Sequence, residues 1–206
     1  MIAKAVDKAH EERVVKAIGT LLVLASQGLN DVFFVDESSF SLQPEVPYRW
    51  QKIGTQLGFA STRKRVMSVL GFLNPLSGQL ITYQVPAGEN MNSETFVRFV
   101  NDFVGTLKRA TTLVLDNASY HKSVLTRSHF EQWEKQGLTI LFLPPRSPHL
   151  NVIEILWAKL KYNWLGTQDF RSVAALERKL NTIFKNYGGK WKIDFSLEKF
   201  KNQVIW

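Results

Sequence analysis

The sequence contains no cysteine and only four histidines among its 206 residues. A disulfide framework and a thiolate metal site are therefore excluded, and any bound metal ion has to use carboxylate, imidazole or carbonyl ligands. No uncharged apolar run approaches the roughly 20 residues that span a bilayer. The apolar stretch 18–25 follows acidic residues, and no convincing signal-peptide cleavage site comes after it. These absences predict a soluble, intracellular protein without a membrane partner.

What the sequence does contain is typical of one globular domain with a substantial core. Hydrophobic residues make up 45% of the chain, charged residues 21% and aromatic residues 12%, which argues against extended disorder. The 26 Lys and Arg residues outnumber the 18 Asp and Glu residues, giving a formal net charge of +8. A basic surface attracts polyanions, most often nucleic acid, although charge alone does not establish such a partner.

Hydrophobic periodicity and turn residues divide the chain into two parts. The first is predicted to hold a helix over residues 4–27, ended by Gly28, followed mainly by strands. These strands are 32–35, which runs directly into Asp36, then Tyr48–Ile53, Arg65–Leu73 and Leu80–Val85. The second part alternates helices over 93–108, 123–136, 151–164 and 172–187 with strands at Thr111–Leu115 and Leu138–Leu143. This order predicts an α/β protein whose mixed sheet has an antiparallel and a parallel side.

Three carboxylates are expected near one edge of this sheet. Parallel neighbours end on the same side, so Asp36 and Asp116 lie together if their strands are adjacent. Glu154 falls in the first turn of the helix that follows the last strand. Three hard oxygen ligands suit Mg²⁺ or Mn²⁺, and two such ions about 4 Å apart can support phosphoryl transfer. The pattern is consistent with a two-metal site.

Each of these carboxylates also has an ordinary structural interpretation. Glu154 stands three residues after Asn151 and would complete a capping box at the start of its helix. Asp36 and Asp116 could be solvated residues at strand ends, where aspartate commonly begins a turn. Glu37 and Asp31 are neighbouring candidates, but strand alternation sends Glu37 to the opposite face from Asp36. Spacing alone leaves these alternatives open.

Six further residues are candidates for contacts with DNA. His121 lies five residues beyond Asp116 and could touch a phosphate or the metal site, although a lone histidine in a polar loop is more often a surface residue. A run of three basic residues could contact the DNA backbone, but it could equally be a solvated edge that discourages strand pairing. The full set is His121, Arg63, Lys64, Arg65, Arg146 and Lys161.

The segments around the three carboxylates carry a more specific signal. They read VDESSF at 35–40, RW at 49–50 with Gly54, LDNASYH at 115–121 and LPPRSPHLNVIEILW at 143–157. Together they resemble the DDE transposases of the mariner superfamily, particularly its bacterial insertion-sequence branch, over about residues 30–165. The last segment is the most specific, because its proline pair, Ser-Pro, Leu-Asn, Ile-Glu and Trp fall in the family's order.

The resemblance implies a fold, a chemistry and a set of ligands. The fold is α/β, a ribonuclease H-like mixed five-stranded sheet flanked by helices. Asp36, Asp116 and Glu154 correspond to the family's catalytic metal ligands, which implies two bound Mg²⁺ or Mn²⁺ ions. The expected activity is metal-dependent cleavage of a DNA strand to expose a 3′-OH. That 3′-OH then attacks target DNA, which completes cut-and-paste transposition.

The resemblance also implies a domain division and partners. Residues 1–30 are expected to be an N-terminal helical linker, and residues 31–206 the catalytic domain with a C-terminal helical extension. Family members read the transposon ends with helix-turn-helix modules, which an upstream reading frame or a missing segment would supply here. The expected partners are double-stranded DNA, both transposon ends and target, and a second copy of the chain in a homodimer on DNA. The expected location is the bacterial cytoplasm, in association with the nucleoid.

The sequence departs from the family pattern at two points and leaves two rival functions. Val152 stands where the family usually has proline, and 37 residues separate Asp116 from Glu154, which is more than typical. Neither departure changes a ligand, but the target dinucleotide TA stays open. The rivals are an inactive transposase-derived protein that only binds DNA, and a ribonuclease H-like nuclease for RNA–DNA hybrids or junctions. A metal-dependent cleavage assay and a substrate comparison separate them.

Overall fold

The computed structural model describes residues 7–45, 53–54, 65–86 and 89–195. Its centre is one five-stranded sheet in the order β3-β2-β1-β4-β5. The strands are β1 (Asp31–Ser41), β2 (Arg65–Asn74), β3 (Gln79–Gln84), β4 (Thr111–Leu115) and β5 (Leu138–Phe142). Strands β1, β2 and β3 are antiparallel neighbours, whereas β4 runs parallel to both β1 and β5. The predicted mixed sheet with one antiparallel and one parallel side is confirmed.

The central strand β1 changes partners near its middle. It pairs with β4 from Asp31 to Phe34 only, while its pairing with β2 continues to Ser41. The expectation that Asp36 ends its strand is therefore wrong, because hydrogen bonds to β2 keep the backbone extended beyond it. Past Phe34 the two parallel strands are no longer bonded to each other. A fork opens there, with Asp36 on one side and Asp116, directly after β4, on the other.

Within the described residues, six α-helices cover the two faces of the sheet. They are α1 (Lys8–Ser26), α2 (Ser93–Val104), α3 (Val124–Ser128), α4 (Phe130–Lys135), α5 (Ile153–Lys159) and α6 (Val173–Lys185). Side chains cap four of them, because Asp7, Asn92, Ser123 and Ser172 each accept a hydrogen bond from a backbone N–H of the first turn. No helix in the described ranges is long and apolar enough to cross a membrane.

Strand alternation builds a separate core on each face of the sheet. Phe34 belongs to the core that also contains residues of α1, α5 and α6, whereas Phe33 and Val35 belong to the core made with α2 and Trp133 of α4. The division of the chain at residue 30 stays a prediction. Helix α1 nevertheless packs in the first core through Val14, Ile18 and Leu22.

Two predicted helices have different bounds in the structure, and one predicted strand lies mostly outside the described residues. The helix expected over 123–136 is broken between α3 and α4, where the side chains of Ser128 and His129 both lie within hydrogen-bond distance of the Leu125 carbonyl and compete for that acceptor. The helix expected over 151–164 begins at Ile153 and ends in a π-helical turn, Leu160–Trp164. Of the strand expected at 48–53, residues 48–52 lie outside the described part of the chain.

Candidate active site

The three predicted carboxylates line one cavity at the fork between β1 and β4. Its volume is about 320 Å³. Asp36 comes from β1, Asp116 from the residue after β4, and Glu154 from the first turn of α5. The remaining lining residues are Asn117, Ala118, Leu143, Pro144, Arg146, Ser147, Pro148 and Asn151. The arrangement places three acidic groups at the mouth of one open pocket.

Of the three acids in the cavity, Asp36 has the pKa that is shifted most from its ordinary value. Burial, together with the negative charges of Glu154 and Asp116, raises its pKa to about 8 from an ordinary value of 3.8. A hydrogen bond from the backbone N–H of Glu37 only partly opposes this effect. Three carboxylates are thus close enough to repel one another, and a cation between them would relieve that repulsion.

Asp116 is held by two hydrogen bonds on its own side of the fork. The Nδ1 atom of His121 lies 2.8 Å from its carboxylate, and the Ala118 N–H donates to the same oxygen over 3.0 Å. Burial would raise the pKa of Asp116, but these hydrogen bonds outweigh it and the pKa lies below its ordinary value. The carboxylate therefore stays ionised and fixed in orientation.

Glu154 is exposed and does not take part in a capping box. Helix α5 has no side-chain cap, and the Asn151 amide instead donates to the Val35 carbonyl over 3.2 Å. Partial burial raises the pKa of Glu154, the charge of Lys161 lowers it, and Asp116 raises it again. The cap interpretation is wrong for this helix, and the Glu154 carboxylate is free to bind a ligand in the cavity.

A glycine opposite Asp36 lets α5 lie directly on the sheet. Gly71 of β2 is the register partner of Asp36. A Cβ added to Gly71 would stand 2.7 Å from the ring of Trp157 and 2.9 Å from the Cδ1 atom of Ile153, closer than real Cβ contacts come. Trp157 is only 3% exposed. Glycine at this position therefore sets how close α5, with Glu154, comes to the strand that carries Asp36.

The other predicted contact residues are placed differently. His121 is fully buried between Phe96 and Tyr120, so it supports Asp116 and does not reach a DNA phosphate. Arg146 lines the cavity. Lys161 acts on Glu154 by its charge and lies 5.7 Å above the ring of Phe40.

The predicted basic run 63–65 is only partly described. Arg63 and Lys64 lie outside the described residues. Arg65 is exposed and donates to the side chain of Asn90 and to the backbone carbonyl of Glu89. The structure thus ties Arg65 to the segment before α2, and a contact of this run with DNA stays a prediction.

Sequence reasoning missed two polar groups that complete the cavity. Asn117 donates to the Leu143 carbonyl and accepts from Lys122, which ties the loop after β4 to the end of β5. Ser147 is 4% exposed, and its hydroxyl has no hydrogen-bond partner in the described structure. A pattern in the sequence could have indicated both residues, because each is polar and lies in a segment that follows a predicted parallel strand.

The sheet order and the helices on both faces define a ribonuclease H-like α/β protein. Residues 31–177 match the family model described as DDE superfamily endonuclease. The chain belongs to this DDE endonuclease family. The family and fold predicted from the sequence are thereby confirmed.

Similar proteins include an insertion-element protein and solved transposase structures. The "Insertion element IS630 uncharacterized 39 kDa protein" of Shigella sonnei is 29% identical over 132 residues, which cover 63% of this chain and 37% of that protein. The catalytic domain of Mos1 mariner transposase has a TM-score of 0.61 at 14% identity and covers 100% of this chain and 93% of its own. The Mos1 mariner paired end complex with Mn has a TM-score of 0.65 at 14% identity over 100% and 63% of the two chains.

Proposed function

We propose that this chain is the catalytic domain of a cut-and-paste DNA transposase, which cleaves a DNA phosphodiester and transfers the resulting 3′-OH to target DNA. Membership of the DDE endonuclease family supports the cleavage chemistry. The chain spans 37% of the length of its insertion-element relative. End recognition, pairing of two copies on DNA and integration are therefore proposed for the whole protein and not for the chain alone.

The observation that carries this proposal is the convergence of Asp36, Asp116 and Glu154 on one open cavity. Burial and neighbouring carboxylates raise the pKa of Asp36 and of Glu154, and a purely structural role does not explain this arrangement. Structural carboxylates are ordinarily paired with cations or hydrogen-bond donors. A cluster left in mutual repulsion is typical of a functional site.

The donor set fits two Mg²⁺ or Mn²⁺ ions. Within the described ranges, no three acidic or histidine side chains are grouped so that they could enclose one metal ion. Each ion would therefore take one or two of the three carboxylates and keep positions for water and phosphate oxygens, as Mg²⁺ ordinarily does. When bound, such ions activate the attacking oxygen and stabilise the leaving one. The Mos1 mariner paired end complex has been solved with Mn and with Mg.

The chain's own residues hold this site in order. His121 and the Ala118 N–H keep the Asp116 carboxylate oriented. Asn151 ties the segment before α5 to the backbone beside Asp36, and its buried amide oxygen has no hydrogen-bond partner among the described residues. Asn151 is also one of the residues that line the cavity, so its amide oxygen is a candidate acceptor for a hydrogen bond from a water or a hydroxyl group bound there. Positioning of this kind contributes much of the barrier reduction in phosphoryl transfer.

The test is cleavage of a supercoiled plasmid by the purified chain in Mg²⁺ or Mn²⁺. Asp36→Asn, Asp116→Asn and Glu154→Gln are each expected to lower the cleavage rate at least 100-fold, because each removes a metal ligand. Their affinity for DNA in Ca²⁺ should stay within about threefold of that of the unmodified chain, because the basic surface is intact.

The matched control is Asp31→Asn, which changes an acid on the same strand outside the cavity lining. Its cleavage rate should match that of the unmodified chain. Cleavage that persists in a chelator would contradict the metal mechanism. Normal cleavage by Glu154→Gln would remove that residue from the ligand set. Metal-dependent cleavage confined to RNA–DNA hybrids or junctions would favour the ribonuclease H-like nuclease, and DNA binding without any cleavage would favour an inactive transposase derivative.

The remaining parts of the proposal concern the complete protein. A helix-turn-helix module joined ahead of residue 31, through the helical linker 1–30, would supply recognition of the transposon ends. Without it, binding should be mainly electrostatic and fall steeply with salt, and it should distinguish little between terminal-repeat and random duplexes. A competition titration at two salt concentrations measures this, and a strong preference of the chain for the ends would show that it carries its own recognition surface.

A further inference from the structure

One wall of the cavity is built in an unusual backbone conformation. Arg146 has a φ angle of 63°, and it is the one residue other than glycine with a positive φ in the described ranges. This left-handed conformation is unfavourable for residues with a side chain, and it persists where the surroundings fix it. Arg146 follows two prolines after β5 and lines the cavity that holds the three carboxylates.

The next residue also lines this cavity and has an unused hydrogen-bond donor. Ser147 is 4% exposed, and its Oγ atom is buried without any partner in the described part of the protein. A buried hydroxyl without a partner is unfavourable, and native proteins rarely leave one. Because Ser147 lines the cavity, a ligand bound there can accept its hydrogen bond.

A phosphate ligand in this cavity needs a positively charged group beside it, because the cavity is lined by acidic side chains. Three carboxylates repel an incoming phosphodiester. Among the described lining residues, Arg146 is the only one with a positive charge. Its guanidinium forms none of the ion pairs seen in the described ranges. The one cationic side chain of the wall is thus free to bind a ligand.

We propose that Arg146 and Ser147 form a phosphate-binding subsite for the backbone of the DNA strand that enters the cavity. This inference rests on the proposed function and assigns a substrate contact within the same site. The planar guanidinium can donate two parallel hydrogen bonds to phosphate oxygens. The Ser147 hydroxyl donates a third. The two residues are consecutive in the chain, and both line the cavity.

The strained backbone allows a test in which stability and binding move in opposite directions. Arg146→Gly relieves the unfavourable φ angle, so its melting temperature should rise by about 2–4 °C. The same change removes the guanidinium, so affinity for a short fluorescein-labelled duplex, measured by anisotropy in Ca²⁺, should fall roughly 10-fold. Arg146→Lys keeps the charge and the strain but loses the planar fork, so it should bind about threefold more weakly at an unchanged melting temperature.

Ser147→Ala provides an independent measurement. No hydrogen bond within the protein is lost, so the melting temperature should stay the same or rise slightly. Binding to the duplex should weaken about threefold because one donor to phosphate is missing. The matched control is Arg127→Ala, which removes an exposed arginine of α3 outside the cavity and should change binding by no more than about twofold.

The outcomes separate the subsite from the proposed function. Unchanged binding by Arg146→Gly overturns the subsite, as does a fall in its melting temperature, which would show that the arginine side chain stabilises the fold. If the unmodified chain cleaves DNA in Mg²⁺ while Arg146→Gly binds and cleaves normally, only the subsite fails. If the unmodified chain cleaves nothing while Arg146→Gly loses binding and gains stability, the proposed function fails and the subsite stands.

Discussion

The aspartates and the glutamate of the cavity are held by different parts of the molecule. Asp36 lies within the central strand, which is bonded to β2 on one side, and Asp116 follows a fully buried strand. Glu154 stands on a seven-residue helix, which the contact of Trp157 with Gly71 and the bond from Asn151 to Val35 attach to the sheet. The sheet side is thus fixed by secondary structure, and the helix side by a few tertiary contacts.

This difference predicts how the two sides respond to mutation. Loss of a buried group that supports the sheet side should lower stability and metal affinity together, because such groups, like His121, are packed in the interior. Damage on the helix side should lower metal affinity with a smaller loss of stability, because α5 can shift while the strands stay paired. Three variants test this comparison, in order of decreasing effect.

His121→Ala should have the largest effect. It removes a fully buried ring that packs against Phe96 and bonds to Asp116, which should cost roughly 3 kcal/mol from the new cavity and the lost hydrogen bond. The melting temperature should fall by about 6–12 °C, and Mn²⁺ affinity, measured by electron paramagnetic resonance, should fall about 10-fold.

His129→Ala is the control for this variant, because it removes a less buried histidine at the α3–α4 junction. Its melting temperature should fall by less than about 3 °C, and its Mn²⁺ affinity should not change. If His121→Ala retained the Mn²⁺ affinity of the unmodified chain, the imidazole would have no part in orienting Asp116. Loss of a buried group on the sheet side would then leave the metal site intact.

Gly71→Ala should have an intermediate effect on stability and a clear effect on the site. The added Cβ collides with Trp157 and Ile153, which should cost about 1–3 kcal/mol and push α5 away from Asp36. Combining it with Trp157→Phe removes the nearest ring atoms, so the pair should be less destabilising than the sum of the single changes. Thermal unfolding and Mn²⁺ titration of the unmodified chain, the two single variants and the double variant measure this coupling.

Gly19→Ala is the matched control, because no atom lies within 4 Å of a Cβ at that position of α1. It should stabilise the chain slightly, since alanine is the better helix former. Strict additivity of Gly71→Ala and Trp157→Phe would mean that the two residues do not meet as described. Their contact would then not set the position of Glu154.

Asp36→Asn should have the smallest effect on stability, and it should raise the melting temperature where the other two substitutions lower it. With its pKa raised to about 8, the folded chain holds a proton that the unfolded chain releases near pH 4, so stability falls as pH rises through this window. The substitution removes this loss. In a chelator its melting temperature should exceed that of the unmodified chain by a few degrees at pH 8 and by nothing near pH 4.

Added Mg²⁺ should give the unmodified chain a higher melting temperature than Asp36→Asn. Of these two chains, only the unmodified one keeps the full set of proposed ligands and gains stability from binding the ion. Glu37→Gln, one residue along on the same strand, serves as the control and should show no such gain at pH 8. Differential scanning fluorimetry across the pH range records all three chains. A lower melting temperature for Asp36→Asn in chelator at every pH would show that repulsion between the carboxylates does not destabilise the empty site.

Features fixed by secondary structure could be predicted from the sequence, whereas features fixed by tertiary contacts could not. Residues 111–115 were bounded correctly as a strand because a short apolar run between turn residues is a local signal. The bond from Asn151 to Val35 joins residues 116 positions apart, and the contact of Gly71 with Trp157 depends on how α5 docks. No local pattern encodes either. The same holds for β1, whose length beyond Asp36 is set by its pairing with β2, and for His121, whose burial depends on α2.

The fork between β1 and β4 has a consequence for how the cavity opens. Amide protons of the paired residues 31–34 can exchange with solvent only when the centre of the sheet comes apart, whereas α5 can detach by breaking a few contacts. The two walls should therefore open independently of each other. Amide exchange should be slow in the strand that carries Asp36 and fast in the helix that carries Glu154. A DNA strand could then enter by displacement of the helix while both aspartates keep their places, and the cavity would not need to be wide enough beforehand.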